Sequence, residues 1–245
     1  FNGLMVPVHF LQGVLMLALS SDYSLPVTTA FLEYDEPAGR LVTDENKLFD
    51  VRLGPLVASF LFISALAHLA VTLPGVYQWY ERNLRRGINY ARWLEYSLSA
   101  SVMIVIIGML VGVYELGALI LIFSVNAAMI FFGLVMEETN LGRTRVNWTP
   151  FILGCVMGII PWVVITLYLV APATRSIGDV PTFVYGIYVS LFLFFNVFAV
   201  NMFLQYRGIG PWRDYIFGER AYILLSLTAK SALAWQVFAG TLRDV

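Results

Sequence analysis

Long apolar runs dominate the chain, and the charged residues are concentrated between them. Six runs contain no Asp, Glu, Lys or Arg, and they cover residues 1–21, 53–80, 96–114, 116–136, 146–174 and 180–206. A seventh run, residues 221–242, is interrupted by a single charge, Lys230. An α-helix needs roughly 20 apolar residues to cross the hydrocarbon core of a bilayer. The pattern therefore predicts seven membrane-spanning helices.

We predict an all-α membrane protein, a bundle of seven transmembrane helices that forms a single domain over residues 1–245. The composition agrees, because 13% of the residues are charged, whereas about a quarter are charged in soluble domains. Since residue 1 is Phe and not Met, we expect a few residues to precede it. The predicted spans are 1–21, 53–76, 91–114, 116–138, 147–171, 181–206 and 217–243.

The first loop, residues 22–52, is the one long connection between predicted spans. Within it, the segments 31–34 and 40–43 flank Asp35-Glu36-Pro37-Ala38-Gly39, where Pro and Gly favour a turn. The two segments are able to pair as a β-hairpin. The alternative is a solvated loop without regular structure.

The distribution of basic residues predicts how the bundle is oriented, because short cytoplasmic loops carry an excess of Lys and Arg. Loops two, four and six carry nine basic residues, against five on the opposite side. We therefore expect the N-terminus in the cytoplasm and the C-terminus outside the cell. The nine are Arg82, Arg85, Arg86, Arg92, Arg143, Arg145, Arg207, Arg213 and Arg220, and the five are Arg40, Lys47, Arg52, Arg175 and Arg243.

Lys230 is the most informative single residue, because it is one of only two Lys and lies in the middle of an apolar span. A Lys at that depth costs free energy, so it is expected to face the bundle interior and to have a partner or a chemical use. One possibility is a structural ion pair. The other is a Schiff base, which a Lys amine forms with an aldehyde.

Glu95 is the natural partner of Lys230, because it is the acid closest to the interior and every other acid lies in a loop or at a helix end. A protonated Schiff base in a low dielectric needs a nearby anion to keep its proton. Ser226 precedes Lys230 by four residues and shares its helical face, and Ser99 follows Glu95 by four residues on the face of that helix.

His9 and His68 are the only histidines, and both fall inside apolar spans. Each has a polar residue on its own helical face, Gln12 for His9 and Ser64 for His68. They are either hydrogen-bonded core residues or part of a polar cavity that relays a proton, since imidazole titrates near neutral pH. Two histidines without a Cys cluster are too few to indicate a metal site.

Further candidates for the wall of a chromophore pocket lie at mid-span depth. Most aromatic residues of a membrane protein pack between helices or form interfacial belts, so ordinary packing is the competing interpretation for each of them. The candidates are Tyr96, Asn126, Met129, Trp162, Phe194 and Phe195.

Two segments of the chain resemble the heliorhodopsins, a family of microbial rhodopsins. They are Arg92-Trp-Leu-Glu95-Tyr-Ser-Leu-Ser99 and Leu225-Ser226-Leu-Thr-Ala-Lys230-Ser-Ala-Leu-Ala-Trp235, and the pairs His9 with Gln12 and Ser64 with His68 match as well. The resemblance implies all-trans retinal bound covalently to Lys230, with Glu95 as sole counterion and Ser226 beside the Schiff base. It also implies that both histidines lie in a polar cavity on the cytoplasmic side, that the N-terminus is inside, and that the protein is a homodimer.

Three functions remain open at this stage. The first is a photosensor, not an enzyme, that passes a conformational change to an unknown signalling partner. The second is a light-driven or light-gated ion transporter; proton-pumping rhodopsins carry a second carboxylate one turn before the retinal Lys, where this chain has Ser226. The third is a protein without a chromophore, in which Lys230 and Glu95 form a structural pair.

Overall fold

Eight α-helices and one β-hairpin form the computed structural model, which describes residues 1–175 and 181–242. A short 3-10 helix, Gly210–Arg213, precedes the last α-helix, and a π-helical turn, Phe238–Leu242, extends it. The α-helices are α1 (Asn2–Leu19), α2 (Leu53–Ala70), α3 (Val76–Arg85), α4 (Tyr90–Leu110), α5 (Leu116–Asn140), α6 (Thr149–Arg175), α7 (Thr182–Arg207) and α8 (Tyr215–Val237), and the strands are β1 (Ser24–Asp35) and β2 (Arg40–Arg52).

Seven of the described helices are long and apolar enough to span a membrane, and α3 is the short exception. A spanning segment must satisfy its backbone polar groups internally, because the bilayer core offers no water to bond them, and an α-helix does so. The predicted seven-helix membrane bundle is therefore confirmed. The predicted third to seventh spans correspond to α4, α5, α6, α7 and α8.

Two helices end earlier than the apolar runs that predicted them. The second span was predicted to continue to residue 76, but α2 ends at Ala70, and Pro74 and Gly75 (φ 85°) lead instead into α3. The third span was predicted to end at residue 114, but α4 ends at Leu110, shortly before Gly112 with φ 98°. The apolar residues continue past both turns, so the hydrophobic pattern does not predict where these two helices end. Residue 243, the predicted end of the last span, and Arg243 in the orientation count lie outside the described residues.

The predicted hairpin in the first loop is confirmed, and its strands are longer than the segments that indicated it. Ser24 pairs with Arg52 at the base and Asp35 with Arg40 at the tip, with one irregularity between Val27 and Thr28. The turn contains Gly39 in the left-handed region (φ 60°), a conformation that favours glycine. The base is joined to the bundle, because Thr28 N donates to the Tyr114 carbonyl at 2.9 Å. The hairpin therefore caps one end of the bundle.

Helix packing places α4 at the centre of the bundle, in contact with α2, α5, α6 and α7. Its residues Met103, Ile104, Ile106 and Ile107 are buried in the main apolar core. We name the two ends of the bundle by the elements that lie there. The α3 end contains the starts of α1, α4, α6 and α8, and the hairpin end contains their last turns together with β1 and β2.

Candidate functional site

Lys230 lies buried near the middle of α8, where its Nζ donates two hydrogen bonds. One goes to Glu95 Oε1 of α4 at 2.6 Å and the other to Ser226 Oγ at 2.9 Å. Ser226 and Lys230 are four residues apart, so one face of α8 presents both to α4. The same Nζ lies 5.2 Å from the ring centroid of Tyr96. The structure therefore brings together the amine, the carboxylate and the hydroxyl that the sequence indicated.

Glu95 is buried and also accepts a hydrogen bond from Ser64 Oγ of α2 at 2.7 Å. The carboxylate consequently joins three helices, α2, α4 and α8. A buried ion pair recovers its desolvation cost only when its geometry is good and its remaining polar groups are hydrogen-bonded. The donors from Lys230 and Ser64 both bond to Oε1, and together they favour the anionic form of Glu95 beside the amine.

An apolar cavity opens at the other side of Lys230, with about 870 Å³ of empty space, part of it open to the outside of the bundle. Lys230 and Ser226 form part of its wall, and the predicted residues Tyr96, Ser99, Met129 and Phe195 line it as well. Binding sites for small molecules are typically concave and mostly apolar, with a few placed polar groups. An apolar molecule that ends in an aldehyde fits this arrangement, and retinal is such a molecule.

Three of the predicted wall residues are not among the described residues that line this cavity. Trp162 stands behind the wall, with its ring packed edge-on against Phe195 at 5.6 Å between centroids. Asn126 Nδ2 donates to Ser101 Oγ at 3.0 Å inside the α4–α5 contact. Phe194 is partly buried against the main apolar core.

Several wall residues were not indicated by the sequence, because their depth along the helix says nothing about which neighbour they face. Gly133 of α5 is one of them: a Cβ added there would overlap the ring of Trp93, so the glycine lets Trp93 approach α5 closely. A glycine inside an apolar helix can be recognised in the sequence as a site of close packing, but the sequence does not show that Trp93 is the side chain that packs there. The other unpredicted side chains include Trp93, Met103, Phe151, Phe198, Met202 and Tyr222.

The two histidines lie together on the opposite side of Glu95 from the apolar cavity. The His9 and His68 rings stack at 5.5 Å between centroids with an interplanar angle of 9°. His68 Nδ1 lies 2.9 Å from Asn2 Oδ1, and Asn2 Nδ2 donates to the Tyr80 hydroxyl at 3.2 Å. Burial raises the pKa of the Tyr80 hydroxyl, so it stays protonated. Asn2, His68, Tyr80 and Glu95 all line a second, smaller cavity, which we call the polar cavity because of these hydrogen-bonding groups in its wall.

The predicted partners of the histidines have other contacts in the structure. Ser64 bonds to Glu95 and not to His68. Gln12 Oε1 accepts from Trp235 Nε1 at 3.2 Å, and both ring nitrogens of the fully buried His9 have no hydrogen-bond partner among the described residues. The i+3 and i+4 spacings predicted a shared face, but the hydrogen-bond partners of Ser64 and Gln12 at these sites come from other helices, α4 and α8.

A second buried ionic group lies at the α3 end of the bundle, and the sequence did not reveal it. Arg92 of α4 forms ion pairs with Glu137 of α5, at 2.5 Å, and with Glu219 of α8. All three side chains are buried. All three residues lie near the ends of predicted spans. Arg92 was therefore counted as a basic residue of a loop, and Glu137 and Glu219 were placed at helix ends, outside the bundle interior. Without Arg92 the orientation count becomes eight against five.

The comparisons with known proteins concern the chain as a whole. No curated relative matches the chain. The sequence profile of the heliorhodopsin family matches residues 1–242, which is nearly the whole chain and includes every element that carries Lys230, Glu95 and the histidines. The chain therefore belongs to the heliorhodopsin family, whose members are retinal-binding, light-responsive membrane rhodopsins.

Proposed function

We propose that this protein is a photosensor in which all-trans retinal is bound covalently to Lys230. The observation that carries the proposal is a buried amine, paired with one carboxylate, in the wall of a large apolar cavity. Lys230 Nζ would hold the aldehyde end of retinal through a C=N bond, with release of water. When bound, retinal supplies visible absorption and isomerisation by light.

The side chains around Lys230 have separate roles in this proposal. Glu95 is the counterion, since it is the only carboxylate within hydrogen-bond distance of Nζ among the described residues. Ser226 accepts a hydrogen bond from the nitrogen, and Ser64 holds the Glu95 carboxylate in place. Met129, Tyr96 and Phe195 form apolar and aromatic wall, with Trp162 supporting Phe195 from behind. His9 and His68 relay or hold the proton on the far side of Glu95.

The distribution of buried charges supports signalling over ion pumping. Among the described residues, the buried side chains that carry a formal charge or an imidazole are His9, Arg92, Glu95, Glu137, Glu219 and Lys230. None of these lies between Lys230 and the hairpin end, where the buried polar side chains include Ser101 and Asn126. A proton pump needs titratable relays on both sides of its chromophore, because an ion crosses an apolar half of the bundle only at high cost.

Electrical recording tests this proposal against transport. Membranes containing the retinal-loaded protein should absorb visible light and show no steady photocurrent at any holding voltage. A known proton-pumping rhodopsin in the same membranes provides the control for sensitivity. A sustained photocurrent with the same action spectrum as the absorption band would contradict the photosensor proposal.

We also propose that the α3 end faces the cytoplasm. The corrected loop count, eight basic residues against five, supports this orientation, because short cytoplasmic loops retain positive charge. A tag placed before residue 1 should be labelled only after the membrane is permeabilised, and a tag after residue 245 should be labelled in intact cells. The reverse pattern would contradict the orientation.

A homodimer is the third part of the proposal, and the β-hairpin supports it. Leu32, Tyr34 and Leu41 share one face near the tip and are 70%, 60% and 60% exposed. An exposed apolar face of this kind is typical of an association surface. Replacing Leu32 and Leu41 by Asn should lower the mass measured by light scattering in detergent, while Glu33→Gln on the opposite face should not. An unchanged mass for the double variant would remove the hairpin from the contact.

A further inference from the structure

The buried group of Arg92, Glu137, Glu219 and Asn89, which we call the Arg92 cluster, has an imbalance of charge. Two carboxylates face one guanidinium, and no other Lys or Arg among the described residues forms an ion pair with either acid. Arg92 is further fixed by the rings of Trp93 and Tyr222, at 4.3 and 3.9 Å from their centroids. With both acids ionised the cluster therefore carries one negative charge that no cation balances.

The two carboxylates differ in how many donors hold them. Glu137 accepts four hydrogen bonds: from Arg92 Nη2, from Trp93 Nε1 at 2.6 Å, from the Asn89 backbone N–H at 2.9 Å and from the Tyr215 hydroxyl at 3.2 Å. Among the described residues Glu219 accepts two, from Arg92 Nη1 and from Asn89 Nδ2 at 2.6 Å. Hydrogen bonds to the ionised form stabilise it. Glu137 is consequently the fixed anion, and Glu219 is the one that accepts a proton more readily.

The polar cavity reaches from the Arg92 cluster to Glu95, the partner of Lys230. Asn89, Arg92 and Glu95 all line this cavity, together with His68, Tyr80 and Tyr96, around about 370 Å³ of empty space, part of it open to the outside of the bundle. A cavity holds water when several hydrogen-bonding groups face it. Asn89 takes part in both sites, because it lines the cavity and its Nδ2 bonds to Glu219 Oε2.

The residue spacing along α4 and α8 places the Arg92 cluster and the Lys230 site on the same faces of these two helices. Arg92 and Glu95 are three residues apart on α4, and Glu219, Ser226 and Lys230 are separated by seven and four residues on α8. Spacings of three, four and seven keep side chains on one helical face. The contact between α4 and α8 therefore leads from Lys230 through Glu95 to Glu219 without leaving the interior.

We propose that the Arg92 cluster is a buried proton-binding site of the light cycle, and that Glu219 takes up the proton from the polar cavity beside Glu95. An O–H bond forms at the Glu219 carboxylate, an imidazolium or a protonated water of the cavity returns to its neutral form, and the charge of the cluster changes from −1 to zero. No electrons are transferred. The inference rests on the proposed function, because the light cycle delivers the proton to the cavity.

Other titratable or charged side chains surround Glu219, and the carboxylate among them, Glu137, already accepts four hydrogen bonds. The others are one arginine and several tyrosines. The groups are Arg92 and Tyr96 of α4, Glu137 of α5, Tyr80 of α3, Tyr206 of α7, and Tyr215 and Tyr222 of α8.

Infrared difference spectroscopy tests the proposal in two steps. In the dark, lowering the pH from mildly alkaline to mildly acidic should produce a protonated-carboxyl band that is present in the wild type and lost in Glu219→Gln. Under light at mildly alkaline pH, the same band should appear as a gain. Glu138→Gln provides the matched control, because Glu138 is an exposed acid beside Glu137 on α5 and its removal should leave both bands unchanged.

A third variant separates a lost proton site from a damaged fold. Glu219→Asp keeps the carboxylate and should retain both bands at a shifted frequency. The proposal is overturned if either band survives in Glu219→Gln, if Glu219→Asp has neither band, or if light produces a loss at this position. The dark titration needs no photochemistry, so the Glu219 band should appear even if Lys230 does not bind retinal. Failure of the proton-binding proposal can therefore be distinguished from failure of the photosensor proposal.

Discussion

The Nζ of Lys230 lies 2.6 Å from Glu95 Oε1, and this one contact joins α8 to α4 in the middle of the bundle. It is the only ion pair between Lys and a carboxylate among the buried residues that the structure describes. Lys230 lines the apolar cavity on one side of this contact, and Glu95 lines the polar cavity on the other. Changes at either residue, or at their direct contacts, are therefore expected to have optical consequences.

Replacing Lys230 by Ala should abolish covalent retinal binding, because Lys47 is the only other lysine and lies exposed in the hairpin. The measurement is the visible band after retinal is added, followed by its bleaching with hydroxylamine. Lys47→Ala should bind retinal as the wild type does. A normal hydroxylamine-sensitive band in the Lys230 variant would show that another amine carries the chromophore.

Replacing Glu95 by Gln should shift absorption to the red. The carboxylate stabilises the positive charge near the Schiff-base nitrogen more in the ground state of the chromophore than in its excited state. Its removal therefore decreases the energy difference between the two states. The neutral amide also holds the proton less well, and the variant should need a more acidic solution to stay protonated. The spectrum must therefore be recorded during an acid titration. Wild-type colour and wild-type titration together would identify another anion as the counterion.

Replacing Ser226 by Ala removes a hydrogen-bond acceptor that lies 2.9 Å from Lys230 Nζ. Hydrogen bonds to charged groups contribute about 1.5–3 kcal/mol, and one pH unit corresponds to about 1.4 kcal/mol. The protonated chromophore should therefore lose its proton about one to two pH units earlier during an alkaline titration. Ser231→Ala, the next residue after Lys230, is a suitable control. An unchanged titration would mean that the hydroxyl does not bond the nitrogen once retinal is bound.

Replacing His9 or His68 by Ala should change proton-transfer kinetics much more than colour. A neutral histidine adds no fixed charge near the Schiff-base nitrogen, so its loss should leave the colour unchanged. A histidine that relays the proton affects the rate of proton transfer. Flash photolysis should show the decay of the deprotonated state altered by at least about tenfold, with the absorption maximum close to that of the wild type. If colour shifts strongly and kinetics do not, one of the stacked rings carries a charge in the dark.

Replacing Arg92 by Gln should destabilise the protein by about 3–5 kcal/mol, because two buried carboxylates lose their cation. Thermal unfolding in detergent measures the change. Adding Glu219→Gln to the same variant should restore part of the stability, since it removes one of the unpaired charges. Arg86→Gln, at an exposed position just after α3, should have little effect. Equal stability of Arg92→Gln and Arg86→Gln would contradict the structural role of the cluster.

Some features of this protein follow from the sequence alone. Six charge-free runs of spanning length, and a seventh interrupted only by Lys230, predict the number of membrane helices, since the bilayer disfavours both unpaired charges and unpaired backbone groups. A lysine isolated in the last run, with an acid at the start of the third, was sufficient to identify the central pair. The Pro and Gly of the 35–39 segment were sufficient to place the hairpin turn.

Other features were decided only by the packing of helices. The end of α2 at Ala70 depends on the turn that contains Pro74 and Gly75, and this turn lies inside a continuous hydrophobic run. Ser64 was assigned to His68 by spacing along one helix, but it bonds to Glu95 of another helix. Spacing within a helix specifies a shared face, whereas the nearest partner depends on how helices rotate and tilt against each other.

The Arg92 cluster shows the same limit most clearly. Arg92, Glu137 and Glu219 lie in three separate parts of the sequence, near helix ends where charged residues usually meet water. Their burial arises because α4, α5 and α8 converge at the α3 end and exclude solvent around them. The sequence determined which helices form and which residue holds the amine, but only the tertiary structure decided which charges share a site, because burial depends on neighbours that are distant along the chain.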